Sequence, residues 1–291
     1  MLLADKWTDY ELIDTGNGEK LERWGKFILR RPDPQAIWPH TADDEIWERV
    51  DAHYHRSRSG GGSWEYKRKL PERWTISYRN LLFYVEPTGF KHTGLFPEQA
   101  VNWDRMSALI QSAGRPIKVL NLFAYTGGAT IACAMAGASV CHVDASRGMT
   151  MTARENAALS GLADAHIRYI VDDCQKFAER ELRRRNRYDA IIMDPPSYGR
   201  GPSGEVWKLE DNIHKFVSLT AKLLSDTPLF FLINSYTTGL SPLTMEYILR
   251  LELLSRLGGV LESGELGLPV KSSGGVLPCG ASAWWIADSG R

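Results

Sequence analysis

The segment Val119-Leu120-Asn121-Leu122-Phe123-Ala124-Tyr125-Thr126-Gly127-Gly128 carries most of the information about the fold, because an apolar run in it leads into a glycine turn. The apolar run, residues 119–123, predicts a buried strand. The segment 129–136 is rich in small residues and predicts a helix. A strand that passes through a glycine turn into a helix is typical of sheets that bind ligands at their strand ends.

The same alternation of strand and helix continues towards the C-terminus. Apolar runs predict further strands at 139–143, 167–171, 188–193 and 229–233. Repeated units of this kind imply a mostly parallel sheet with helices on both faces. The last two predicted strands, 260–266 and 281–286, lack a connecting helix, so we expect an antiparallel pair. The prediction is an α/β, Rossmann-like fold whose seven-stranded, mostly parallel sheet has an antiparallel last strand.

Before residue 115 the pattern differs. Short alternating runs, such as 26–29, 74–78 and 81–85, lie between Gly, Pro and Asp turns and predict strands of a β-rich region. The segment 111–116 has the composition of a linker. We therefore predict a β-rich N-terminal domain, residues 1–110, as a candidate for substrate recognition, and a Rossmann-like domain, residues 111–291.

Composition narrows the class of protein. The 291 residues include 35 Lys plus Arg and 35 Asp plus Glu, so RNA binding would need a local basic patch. The four cysteines are scattered without metal-ligand spacing, which predicts reduced thiols and no metal site. No secretion signal or membrane-length apolar run is visible, so we expect a cytoplasmic protein without membrane attachment. The sequence does not indicate an oligomeric state.

Acidic residues at the ends of two predicted strands indicate a nucleoside site. Asp144 ends the second strand, where an acid accepts hydrogen bonds from ribose hydroxyls, although it could instead cap the next helix. At Asp172-Asp173 one acid can bind an adenine amino group and the other can cap a helix, and we favour Asp173 for the adenine. The glycine turn lacks the Gly-x-Gly-x-x-Gly pattern of pyrophosphate sites. S-adenosylmethionine has no phosphate, so this shorter glycine turn suffices for it, and we predict it as the cofactor because the sheet with one late hairpin resembles the arrangement of class I methyltransferases.

The fourth strand runs into a candidate acceptor site, Asp194-Pro195-Pro196-Ser197-Tyr198. The two prolines remove two backbone donors and stiffen the turn. The Asp194 carboxylate and the Pro195 carbonyl can then hold an amino group or ring nitrogen with its lone pair aimed at a methyl group. Methyl transfer from a sulfonium is a direct displacement, so positioning can supply most of the rate without a metal. The loop 199–205, next in the chain, could close over an acceptor.

These motifs together resemble bacterial large-subunit ribosomal RNA methyltransferases with the class I fold. The most similar members are those of the type called methyltransferase I and the K type. The resemblance runs from about His92 to the end and includes His92-Thr93-Gly94-Leu95-Phe96-Pro97-Glu98-Gln99. It implies that Phe96 and Gln99 border the cofactor. The cofactor-binding residues expected in all are Phe96, Gln99, Asn121, Phe123, Ala124, Tyr125, Thr126, Gly127, Asp144, Ala145, Ser146, Asp172, Asp173, Cys174 and Asp194.

One departure from that family bears on the chemistry. Its 5-methylcytosine members carry a nucleophilic cysteine after the fifth strand, because carbon methylation of a pyrimidine requires covalent activation. The matching stretch here is Ile233-Asn234-Ser235-Tyr236, without a thiol. This difference favours a nitrogen acceptor. In residues 1–90 no RNA-binding PUA module is recognisable.

The leading hypothesis is a methyltransferase acting on a base nitrogen of RNA, with ribosomal RNA as the expected partner. A basic stretch with interleaved aromatic residues could neutralise phosphates and stack bases, or could be an ordinary solvated face. Its members are Arg56, Arg58, Lys67, Arg68, Lys69, Arg73 and Arg79, with Trp64, Tyr66, Trp74 and Tyr78. The alternatives are a small-molecule or protein methyltransferase, a nicotinamide oxidoreductase and a non-catalytic binding module.

Overall fold

The computed structural model describes residues 1–57, 61–89, 92–200, 206–237 and 239–288. The chain divides into two compact units. The N-terminal unit comprises Leu2–Val101 together with Gly267–Cys279, and the larger unit comprises Met1, Asn102–Leu266 and Gly280–Arg291. The units therefore separate after Val101 and not at the predicted boundary after residue 110. A continuous helix, Ala100–Ser112, spans both positions.

The N-terminal unit is built mainly from strands. They are β1 (Leu2–Leu3), β2 (Tyr10–Gly16), β3 (Glu19–Trp24), β4 (Phe27–Pro32), β5 (Ala52–Arg56), β6 (Gly62–Tyr66), β7 (Trp74–Tyr78) and β8 (Leu81–Val85). Strands β2 to β6 form a five-stranded sheet in sequence order, and β7 pairs with β8. A short helix, α1 (Asp44–Glu48), places Trp47 against Leu21, and a 3-10 turn spans Pro97–Gln99.

The segment 267–279 joins this unit through backbone pairing. Val270 bridges Leu12, and the Lys271 N–H donates to the Leu12 carbonyl at 3.0 Å. Asp14 binds the same segment, since Ser272 Oγ donates to Asp14 Oδ1. A C-terminal segment is thus part of the N-terminal unit, an arrangement that the sequence patterns do not reveal.

The larger unit alternates strands and helices. Its elements are α2 (Ala100–Ser112), β9 (Lys118–Leu122), α3 (Gly128–Met135), β10 (Ser139–Asp144), α4 (Arg147–Leu159), β11 (Ile167–Val171), α5 (Cys174–Arg183), β12 (Ala190–Met193), β13 (Tyr198–Arg200), β14 (Val206–Lys208), α6 (Leu209–Ala221), β15 (Phe230–Ser235), α7 (Pro242–Leu249), a π-helical turn (Arg250–Leu254), α8 (Ser255–Leu257), β16 (Val260–Pro269) and β17 (Val276–Ile286). This order confirms the predicted repeat of strand and helix.

The main sheet has the order β1-β16-β17-β15-β12-β9-β10-β11. Neighbours among β15, β12, β9, β10 and β11 are parallel, and β17 pairs with β15 antiparallel. The predicted Rossmann-like α/β fold is confirmed, with the two-residue β1 added at one edge of the seven expected strands. Every residue of β12 and β15 is buried, as expected for strands covered on both faces.

This topology positions the candidate site. The strand order reverses at β9, which lies between β10 and β12. Ligands of open α/β sheets bind outside the carboxyl ends of the strands at such a reversal. We therefore expect the ligand at the loops after β9, β10, β11 and β12.

Candidate active site

The carboxyl ends of four parallel strands lie level with one another. Val143 and Met193 both pair with Leu122, one on each side of β9. The Asp172 N–H donates to the Asp144 carbonyl at 3.0 Å, and the Asp194 N–H donates to the Leu122 carbonyl at 3.4 Å. The predicted site segments are thus brought to one edge of the sheet, although they are far apart in the sequence.

The loop after β9 has an unusual backbone. Phe123 and Tyr125 have positive φ angles of 56° and 50°, and Gly127 has one of 88°. Positive φ is costly for residues with a Cβ, and such strain is often found at functional sites. A Cβ on Gly127 would lie 2.9 Å from Ala153 Cβ, so glycine allows α3 to begin against α4. The glycine turn therefore has both a conformational and a steric cause.

Asp144 is the acid at the end of β10, as the sequence predicts. Its Oδ2 accepts from the Tyr125 N–H and its Oδ1 from the Ser146 N–H, both at 2.8 Å. Burial raises the pKa of this carboxyl, and the two N–H donors partly offset the rise. A carboxylate offers about four acceptor positions, so these bonds leave capacity for a ribose. The helix cap is Ser146, which accepts from the Met149 N–H at 3.3 Å.

The two acids after β11 have different surroundings. Asp173 is the N-cap of α5, with Oδ1 accepting from the Lys176 N–H at 2.8 Å. Asp172 forms an ion pair with Arg180. The capping role that the sequence left open therefore belongs to Asp173, the same acid that we favoured for adenine. One cap bond occupies a single oxygen of the exposed Asp173 carboxylate.

The turn after β12 is held by side chains from two other segments. Trp207 Nε1 donates to the Pro196 carbonyl at 2.8 Å, and Thr237 Oγ1 donates to Ser197 Oγ at 2.6 Å. Asp194 is half-buried, Pro195 is buried, and Pro196, Ser197 and Tyr198 are exposed. Neither Trp207 nor Thr237 stands out in the sequence, because only the folded chain brings them to this turn.

The predicted loop 199–205 begins inside a strand, because Gly199 and Arg200 belong to β13, which forms a hairpin with β14. Tyr198 pairs with Lys208 and Gly199 with Trp207, in antiparallel register. The Trp207 ring packs against Phe123 and Phe216, with ring centroids 5.6 and 5.8 Å away. Residues 201–205, which the sequence predicts to close over an acceptor, lie outside the described residues.

Other predicted cofactor residues have structural contacts. Asn121 Nδ2 donates to Thr130 Oγ1 at 2.9 Å, and the buried Thr126 accepts at its carbonyl from Asn156. Cys174 is buried at the start of α5, where its Sγ accepts from the Phe123 N–H at 3.3 Å. Ala124 is buried and Ala145 is exposed. The side chains of Asn121 and Cys174 thus support the loop from inside the protein.

Phe96 and Gln99 belong to the N-terminal unit. Gln99 is buried at the end of the 3-10 turn, and the half-buried Phe96 precedes the turn and lies beside His92. Their expected approach to the cofactor therefore remains a prediction.

The cysteines do not offer a reactive thiolate. Cys133, Cys141 and Cys174 are buried, and burial raises the pKa of all three thiols, to about 11 for Cys141. Cys279 belongs to the N-terminal unit, and burial raises its pKa too. These raised pKa values support the expectation that the chemistry is not covalent catalysis by cysteine.

Much of the basic stretch near residues 56–79 is already engaged. Lys67 pairs with Glu65 and Arg68 with Asp51, while Arg73 lies over the Tyr84 ring at 4.0 Å. The indole N–H groups of Trp64 and Trp74 donate to the carbonyls of Thr88 and Trp24. These contacts favour a structural role for the tryptophans. Arg58 lies outside the described residues.

Comparisons with known proteins identify the family and the fold. The sequence model of the S-adenosylmethionine-dependent methyltransferase family matches residues 32–246. The Ribosomal RNA large subunit methyltransferase K/L of Shewanella frigidimarina is 33% identical over 145 residues, which cover 49% of this chain and 20% of that protein. The matched part is therefore only about a fifth of the relative's length.

Two solved structures extend the comparison. A SAM-dependent methyltransferase from Agrobacterium tumefaciens has a TM-score of 0.93 and 40% identity, covering 98% of this chain and 92% of that chain. The tRNA m1G37 methyltransferase of M. jannaschii has a TM-score of 0.55 at 12% identity, covering 96% of this chain and 74% of that one, and it shares the fold. Over the described ranges of the chain, no helix has the length and apolar character to cross a membrane.

Proposed function

This chain belongs to the S-adenosylmethionine-dependent methyltransferase family, and we propose that within this family it methylates a base nitrogen in RNA, with ribosomal RNA as the preferred substrate. The observation that carries the proposal is the braced Asp194-Pro195-Pro196 turn, level with the glycine turn at the reversal of the sheet. The chain is an enzyme and its cofactor is S-adenosylmethionine.

We assign the cofactor's parts to the strand ends. Asp144 accepts from the ribose hydroxyls with the capacity that its two backbone donors leave. Asp173 accepts from the adenine amino group with the oxygen that does not cap α5, and the Cys174 N–H donates to the ring. The loop that contains Phe123, Tyr125 and Gly127 contacts the methionine part of the cofactor beside the start of α3. Our proposal also includes Phe96 and Gln99 among the residues that contact the cofactor.

The acceptor nitrogen is held by Asp194 and the Pro195 carbonyl. Bound S-adenosylmethionine would supply the methyl group: the lone pair of the acceptor would form the new bond to the methyl carbon as the carbon–sulfur bond breaks, with release of the neutral thioether S-adenosylhomocysteine. An acceptor nitrogen that carries a hydrogen would then lose a proton to the Asp194 carboxylate or to solvent. Such a displacement depends mainly on alignment of the two reactants. Buried thiols with raised pKa values argue against the covalent route to a carbon acceptor.

RNA is the substrate class favoured by the sequence relatives. The relative from Shewanella frigidimarina is named for ribosomal RNA of the large subunit, and it matches about half of this chain. A base in a duplex would have to leave the stack to reach Asp194. Tyr198, half-exposed on the hairpin beside that turn, is placed to contact such a base.

The test combines binding with product mapping. We expect calorimetry to detect one S-adenosylhomocysteine per chain and Asp144→Ala to weaken it by about tenfold or more, since ribose hydrogen bonds to a charged group are lost. We expect Asp194→Ala to reduce methyl transfer to RNA from cells lacking the gene by about a hundredfold. Mass mapping of that RNA, before and after reaction, identifies the nucleotide.

The outcomes separate the cofactor from the acceptor. Absence of S-adenosylhomocysteine binding contradicts the cofactor site itself. If the cofactor binds normally but mass mapping finds no RNA nucleotide that is methylated only in cells carrying the gene, only the RNA assignment is contradicted. In that case the second candidate function, methylation of a small molecule or protein, is favoured. The reason is that Lys67 and Arg68 are already paired with acidic side chains.

A further inference from the structure

A separate cluster of metal-ligand side chains lies in the N-terminal unit. His53 and His55 are on β5, and Glu65 is on β6. One ligand atom from each residue lies within 4.8 Å of the other two. We propose that these three side chains bind a divalent transition-metal ion, with Zn²⁺ as the preferred ion. The proposal departs from the expectation of no metal site, which rested on the spacing of the cysteines.

Strand pairing assembles the cluster. His53 lies opposite Glu65 in the antiparallel β5–β6 ladder. Alternate residues of a strand share a face, so His55 projects beside His53, and their ring centroids are 3.9 Å apart. Ala52 and Tyr54, which alternate with them, are buried. The histidines therefore occupy the opposite side of β5, where His55 and Glu65 are exposed and His53 is half-buried.

The ligands are partly arranged for binding. His55 Nε2 lies 2.8 Å from Glu65 Oε2, and His53 Nε2 lies 2.8 Å from Glu19 Oε1. Arg30 Nε donates to Glu19 Oε2 at 2.9 Å and holds that carboxylate. A carboxylate beside a metal-binding histidine fixes the orientation of the imidazole ring. Glu19 can supply this support to His53.

The donor set indicates the ion. Two imidazoles and one carboxylate suit Zn²⁺, whereas Mg²⁺ prefers an octahedral shell of oxygens. Zinc bonds of roughly 2.0–2.2 Å place neighbouring ligand atoms about 3.3 Å apart, and the three ligand atoms here lie within 4.8 Å of one another. With three protein ligands, water would complete a tetrahedral site.

Binding has to replace the contacts that Glu65 already makes, which are the hydrogen bond with His55 and an ion pair with Lys67. Lys67 forms an ion pair with Glu65, and both side chains are about half-exposed. Exposed ion pairs contribute little free energy, so a divalent ion can displace the ammonium group. The bound ion would connect β5 to β6 and stabilise the N-terminal unit. The proposal is independent of which acceptor is methylated.

The experiment uses the untagged, full-length protein, treated with chelator and then freed of it. We expect calorimetry with ZnCl₂ at neutral pH to show one site per chain, and the melting temperature to rise on zinc addition. His55→Ala is expected to weaken zinc binding about tenfold or more and to abolish the rise. Glu65→Gln, which keeps the size of the side chain, is expected to weaken it as well. MgCl₂ should give neither effect.

The control is His214→Ala. His214 is another exposed histidine, 3.0 Å from Glu252, and it is in no such three-residue cluster among the described residues. This variant should bind zinc as the wild type does. A far-ultraviolet circular dichroism spectrum like that of the wild type and cooperative thermal unfolding without zinc show that His55→Ala is folded. No zinc binding by the wild type, or binding that survives both His55→Ala and Glu65→Gln, overturns the proposal.

Discussion

His142 lies on β10 with its side chain fully buried beside Tyr169. Its Nδ1 is 2.9 Å from Thr130 Oγ1, and its Nε2 has no partner among the described residues. Burial lowers the pKa of this imidazole from its usual 6.5 to about 4, because a buried cation would lose hydration without compensation. His142 is therefore neutral at physiological pH and supports Thr130, the residue that holds Asn121.

This lowered pKa predicts a pH-dependent stability. Unfolded His142 takes up a proton near pH 6.5, and the folded protein resists that proton until about pH 4. The contribution of His142 to the free energy of unfolding is therefore fully present above pH 6.5 and is lost as the pH falls towards 4. Between pH 7.5 and pH 5 the free energy of unfolding falls by about 2 kcal/mol from this cause. We expect His142→Asn to have a lower free energy of unfolding than the wild type at pH 7.5, but to lose less of that free energy on acidification. Urea unfolding at each pH measures both differences.

The matched control for that prediction is His214→Ala. His214 is an exposed histidine on α6, so this variant shows whether loss of a histidine elsewhere changes the pH slope of unfolding as His142→Asn does. Equal slopes for His142→Asn and the wild type would contradict the account of His142.

Among the elements, the turn after β12 depends on partners from β14 and from the end of β15. Trp207 donates to the Pro196 carbonyl, and Thr237, whose N–H donates to Ser235 Oγ at 3.1 Å, donates to Ser197. Two prolines restrict the turn internally, and these two bonds restrict it from outside. The geometry of this turn therefore depends on both sources, and under the proposed function so does the alignment of the acceptor.

Trp207→Phe tests this bracing. The substitution removes the N–H donor and keeps an aromatic ring against Phe123 and Phe216. We expect kcat for methyl transfer to RNA to fall by about tenfold, because misalignment slows a displacement, with S-adenosylhomocysteine affinity changing less than about threefold.

Phe216→Leu is the comparison variant. It removes part of the same aromatic cluster and leaves the bond to Pro196 in place. It should lower the melting temperature more than it lowers kcat. A wild-type kcat in Trp207→Phe would show that the indole bond does not position the acceptor.

Over the molecule as a whole, charge is balanced, with 35 basic and 35 acidic residues. The basic stretch is further neutralised by the Lys67–Glu65 and Arg68–Asp51 pairs. RNA affinity should then depend on few phosphate contacts, and its salt dependence should be shallow.

Two neighbouring lysines provide the test of this point. We expect Lys69→Gln to weaken RNA binding and to reduce the slope of log affinity against log salt by about one unit, because an exposed cation is lost. Lys67→Gln should change the slope less, since Lys67 already pairs with Glu65. Filter binding across a salt series measures both. An unchanged slope in both variants would place the RNA elsewhere on the chain, and equal reductions would show that the pair with Glu65 does not withhold Lys67 from RNA.

The strand and helix alternation of the larger unit could be predicted because each element carries its own local pattern. Residues 119–123 and 188–193 are apolar enough to indicate β9 and β12, and Asp144 and Asp194 follow from the ends of strands. The hairpin of β13 and β14 was not predicted, since its strands of three residues each are too short to show a period.

The Rossmann-like sheet, the cofactor class and the acidic strand ends could all be derived from the amino-acid sequence, because hydrophobic period and turn residues act over a few neighbouring positions. Which side chains meet across long separations became visible only in the folded chain. Folding placed Trp207 and Thr237 on the Pro-Pro turn, brought 267–279 into the N-terminal unit, and set Glu65 beside His53 and His55. Such contacts depend on strand pairing and packing between distant segments, which no local pattern encodes.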